Sequence, residues 1–157
     1  MLRHTLFALF IVFGSGLAAQ DLTARDGWVV MRSAHDFGTL VDRVKSAVKT
    51  APIAIVTQAS ASDGARAQGL EIAGNRVFGL FRNDYARRML DASVAAGIEA
   101  PIRLYVTENQ DGTATLSYKS PTTVFAPYAD EGGAKLAALA TELDGVFSAL
   151  ATEAAGQ

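Results

Sequence analysis

Phe81-Arg82-Asn83-Asp84 stands where an extended run gives way to a helical one. Helix starts present unpaired amides that attract anionic or carbonyl groups, so Arg82, Asn83 and Asp84 are candidate ligand-binding residues. Asn83 or Asp84 also fits the ordinary role of a helix cap. Tyr118-Lys119-Ser120-Pro121 closes a later extended run and brings a phenol and an ammonium to a strand end, where ligands often meet polar groups. Tyr118 and Lys119 complete the candidate set, with simple strand termination by Pro121 as the plain structural alternative.

Catalytic residue types are sparse. Outside the first residues His35 is the only histidine, and it sits beside Asp36 at a helix start, where a solvated role is the ordinary one. There is no cysteine, which removes thiol catalysis, disulfides and Cys-based haem or zinc sites. His35, Met31 and Met89 are too few to build a transition-metal centre. Gly64 and Gly69 have the separation of a phosphate loop, but Leu70-Glu71 follow where Lys and Ser or Thr are required. Ser60, Ser62, Ser117 and Ser120 lie in no G-x-S-x-G elbow. Asp130-Glu131 reads as an acidic helix start meeting the dipole, and Arg87-Arg88 as a solvated helix face. No catalytic residue, metal site or cofactor is assigned. An enzyme alternative, a small periplasmic hydrolase or lyase using His35 or a carboxylate, requires such groups to converge in a pocket.

The first residues read as an address. Arg3 and His4 precede the apolar run Leu6 to Phe13 and the small residues Gly14 to Ala19, the order of a cleavable signal peptide over 1–19. That run is far shorter than the roughly 20 residues a spanning helix needs, so no stable membrane anchor is expected after cleavage. The expectation is export, to the periplasm if the source is Gram-negative. Loss of Arg3 leaves a body one charge more negative than the −2 of the full chain, which offers nucleic acid no electrostatic attraction.

Positioning elements follow from periodicity. After a lead-in over 20–27, Trp28 to Arg32 reads as a strand. Ser33 and Asp36 form a capping pattern for a helix starting near Ala34 to Phe37, whose Phe37, Leu40, Val41, Val44 and Val48 share one face before Pro52. Ile53 to Thr57 and Arg76 to Phe81 read as strands around a short helix from Asp63 to Leu70. A third helix, capped by Asn83 or Asp84, runs to about Ala96, with Gly97 as terminator. Ile102 to Thr107 and Thr113 to Tyr118 flank a loop ending in Asp111-Gly112, a hairpin signal. From Asp130 to about Thr152 Leu136, Leu139, Leu143, Val146, Phe147 and Leu150 keep a helical stripe that must cover the sheet or a partner.

These motifs in this order resemble the domain of unknown function 302 family: Ser33 to Phe37, Gly69 to Ile72, Phe81 to Asp84, Gly97 to Pro101, and Asp111-Gly112 with Ser117 to Pro121. The resemblance covers roughly residues 28–128 and leaves 129–157 as a C-terminal helix and tail. It implies an α+β fold with a curved, mostly antiparallel sheet of about five strands backed by helices, and often a homodimer, without naming a reaction. Relatives carry a histidine where this chain has Ala61, which implies a non-catalytic copy. The expected function is a binding module for a small molecule or a protein, with a structural homodimer subunit as a further alternative. That last reading requires the final helix to keep an exposed apolar patch.

Overall fold

Five runs rich in β-branched and aromatic residues form the strands β1 (Trp28–Ser33), β2 (Ala54–Ala59), β3 (Asn75–Phe81), β4 (Ile102–Glu108) and β5 (Ala114–Lys119). The computed structural model describes residues 18–157, so the expected signal peptide lies outside the described residues except for Ala18 and Ala19. The strands make one sheet in the order β1-β5-β4-β3-β2, and each neighbouring pair is antiparallel. A register shift between Ile55 and Thr57 interrupts the β2–β3 ladder. The β4–β5 hairpin turns through Asn109 to Thr113, where Gly112 takes a positive φ of 80° that a side chain would disfavour.

Five helices accompany the sheet among the described residues: α1 (Phe37–Thr50), α2 (Ala61–Ala67), α3 (Asn83–Ala92), α4 (Pro121–Phe125) and α5 (Ala129–Ala155). Short 3₁₀ turns occupy Ala95–Glu99 and Ala126–Tyr128. α1 and α5 pack on the sheet and on each other, and α3 and α4 pack along α5. Strand alternation decides which residues face them. Phe78, Leu80, Leu104, Val106, Leu116 and Tyr118 point into this core and meet Leu40, Val44, Leu139, Phe147 and Leu150 from the helices.

Several element ends differ from the sequence reading. Asp36 alone caps α1, accepting from the Thr39 amide at 2.9 Å. Ser33 ends β1 instead, and its hydroxyl donates to the Ala155 carbonyl at 3.0 Å. α2 begins earlier than expected because Ser60 caps it, accepting from the Asp63 amide. Arg82, not Asn83 or Asp84, holds the N-cap position of α3, without a side-chain cap. That helix stops at Ala92, and Ala95–Glu99 continues as a separate 3₁₀ turn in place of a longer helix. α4 was not foreseen; Pro121 starts it at a position where its missing N–H is harmless. α5 breaks near its start at Gly133 (φ 51°, ψ −146°). Apart from Val146, which is partly buried, the α5 stripe is buried within its own chain.

Candidate functional site

The helices cover one face of the sheet, and the opposite face carries a cavity of about 310 Å³. Its floor follows from the ladder. Ser117 pairs with Val30 on one side and Tyr105 on the other, and Tyr105 pairs with Val77. Two positions further along their strands, Lys119 and Arg103 emerge on the same face, with Trp28 paired to Lys119. Glu99 and Val124 close the rim from the first 3₁₀ turn and from α4. A second hollow, lined by Thr57, Ala59 and Pro101, shares Val77, Glu99 and Arg103 with the first, so Arg103 stands between two adjoining depressions. Gly79 lets Thr57 and Pro101 lie close over the sheet: an added Cβ would collide with Thr57 Oγ1 and lie 2.8 Å from Pro101 Cγ.

The electrostatics of the cavity are cationic. Neither Arg103 nor Lys119 takes part in an ion pair among the described residues. The carboxylate of Glu99 is engaged by the Tyr128 hydroxyl at 2.8 Å, and that hydrogen bond pushes the Tyr128 phenol above its ordinary range. Lys119 Nζ lies 5.9 Å and Arg25 Cζ 5.1 Å from the centroid of the Trp28 ring, both within cation–π reach. The Ser117 side chain lines the cavity, is fully buried, and its Oγ has no hydrogen-bond partner. Buried hydroxyls in native proteins are nearly always paired, so this one has an unused donor and acceptor.

The residues expected from sequence separate into two places. Tyr118 and Lys119 both border the cavity, but alternation sends the Tyr118 ring into the core, 5.4 Å from the Phe147 ring. Burial, with Asp144 adding to it, pushes that phenol up to about 12. Arg82, Asn83 and Asp84 begin α3 and contribute nothing to this cavity. Arg82 is occupied: it pairs with Asp84, donates to the Pro52 carbonyl at 3.0 Å and stacks over Tyr85. Sequence reading missed Trp28, Arg103 and Tyr105, and weighed Ser117 only as a hydrolase serine. The signal was the alternation Arg103-x-Tyr105 and Ser117-x-Lys119, which sets polar groups on one face of a hairpin whose other face is apolar.

Of the residues weighed for catalysis, Ser117 lines this cavity and the others lie elsewhere. His35 lies beside Gly156 at the end of α5, and its backbone amide donates to Ser33 Oγ. Glu131 accepts from the Ser93 hydroxyl at 2.7 Å, and Arg88 pairs with Glu142 at 2.7 Å. Among the described residues no group of His, Asp and Glu side chains is arranged to hold a metal ion, and no helix is long and apolar enough to cross a membrane.

A single antiparallel sheet, helices on one face and a hollow on the other, defines an α+β domain of one layer on another. The sequence profile described as "Domain of unknown function DUF302" matches residues 29–150, and the chain belongs to that family. A crystal structure of an uncharacterized conserved DUF302 protein from Bacillus stearothermophilus has the same fold, with a TM-score of 0.72 at 16% identity over 83% of this chain and 99% of that one. A comparison with curated proteins finds no match.

Proposed function

We propose that the mature chain is an exported module that binds a small ligand on the open face of its sheet without transforming it. The observation that carries this reading is the union of an apolar hollow of about 310 Å³ with two cations, Arg103 and Lys119, that form no ion pair among the described residues. Concave, largely apolar sites with a few placed polar groups are the usual form of small-molecule sites. Binding without chemistry is supported by the scatter of His35, Glu131 and Arg88, each held by a different contact away from the hollow. Export is supported by the leader pattern of the first 19 residues.

The reading is tested by native mass spectrometry of the mature protein isolated from the exported fraction of its own cells. A retained small molecule is expected. Trp28 is the only tryptophan, so its emission reports directly on occupancy of the hollow. A bare protein whose Trp28 emission is unmoved by a small-molecule extract of those cells overturns the reading.

A second reading, docking of a protein partner, is favoured by one patch. Val94 and Ile98 are each 79% exposed and Leu90 is 45% exposed at the end of α3 and the turn after it. A complex of added mass that disappears with Ile98→Ser would support it.

A further inference from the structure

Resting on that reading, we infer that the ligand is a small organic carboxylate with a flat apolar body. Its carboxylate oxygens face Arg103, Lys119 and the Ser117 hydroxyl, and its body lies along Trp28 and Tyr105.

Three observations narrow the class. The two cations come from adjacent strands of one face, and the acidic side chain nearest in the lining, Glu99, already accepts from Tyr128. A negative ligand therefore meets two formal positive charges against one negative in the lining, with the Glu99 carboxylate held toward Tyr128. Next, Ser117 Oγ is buried without a partner at the cavity wall, and a carboxylate oxygen supplies the acceptor it lacks. Finally, the remaining lining is apolar, including Val77, Ile102 and Val124. Free phosphate would leave that surface uncovered, and the sheet amides that could help cradle it are spent in the β3–β4–β5 ladder. One guanidinium, one ammonium and one hydroxyl match two carboxylate oxygens, and the Trp28 and Tyr105 rings match a flat apolar body.

The test uses the mature chain with phenylacetate, phenylacetamide and inorganic phosphate as probes. Binding is read by Trp28 emission and by NMR shifts of the Trp28 indole and the Ser117 and Tyr105 amides. Phenylacetate is expected to bind at least about tenfold more tightly than the neutral amide, and more tightly than phosphate. Arg103→Gln and Lys119→Gln should each remove most of that preference. Ser117→Ala should weaken phenylacetate while leaving the melting temperature in place, an outcome that a purely structural hydroxyl would not give.

Equal binding of phenylacetate and phenylacetamide overturns the carboxylate class and leaves the cavity as a binding site. Silence of the cavity resonances toward both organic probes overturns the inference as well. The binding reading itself stands or falls separately, on the molecule retained from the cells.

Discussion

Arg43 Nε donates to the Ala154 carbonyl at 2.6 Å, tying the middle of α1 to the last turn of α5 across 111 residues of sequence. The same guanidinium donates through Nη2 to the Glu153 carbonyl at 2.7 Å, and Ser33 covers the Ala155 carbonyl. The Thr152 carbonyl accepts from the Gly156 and Gln157 amides beyond the helix, with Gly156 left-handed at φ 78°. Every one of the last four carbonyls of α5 thus has a partner, and the positive guanidinium sits at the negative end of the helix dipole.

Arg43→Ala should therefore destabilise the fold by about 1–2 kcal/mol, because two carbonyls lose their donors and the dipole loses its counter-charge. Arg43→Lys should recover only part of this, since an ammonium cannot reproduce the fork. Urea denaturation of the three proteins checks the order.

Alkaline pH should weaken the fold through Tyr118. Its folded-state phenol is held protonated up to about 12 by burial, against about 10 in the unfolded chain. Above pH 10 the unfolded state sheds this proton and the folded state keeps it, so the contribution is whole below pH 10 and is lost as pH rises toward 12. The loss is on the order of 2 kcal/mol. Denaturation series at pH 9 and pH 11.5 should show the drop, and Tyr118→Phe should flatten much of it.

Gly79→Ala should destabilise by about 1–3 kcal/mol through overpacking, since the new methyl meets Thr57 Oγ1 and Pro101 Cγ. Adding Thr57→Ala removes one of the two obstacles, so the double variant should be more stable than the sum of the single effects predicts. Thermal melts of the four proteins measure that coupling.

Phe147→Ala should cost about 3–5 kcal/mol, because the fully buried ring fills the space between α5 and Tyr118. Phe147→Leu should cost less, and near-ultraviolet dichroism should register the altered surroundings of Tyr118 in both.

Much of the fold was legible because its core obeys simple periods. The α1 stripe from Leu40 to Val48 and the α5 stripe from Leu136 to Leu150 have helical spacing, and Asp111-Gly112 marked the hairpin. The caps were harder to read. Ser33 and Asp36 both suit a helix start, and only the partner of Ser33, an α5 carbonyl 122 residues away, decides between them. The site was half legible for a similar reason. Lys119 was visible as a strand-end cation, but placing it beside Trp28 and on the face of Arg103 requires the strand order, which depends on pairings between distant segments. Arg82 to Asp84 drew attention by residue type, and their polarity is absorbed by local contacts.

Consecutive residues of β5 serve different masters: Leu116 and Tyr118 answer to the helices, Ser117 and Lys119 to the open face. A substitution at one parity therefore alters the open face, while one at the other parity alters the packing against the helices.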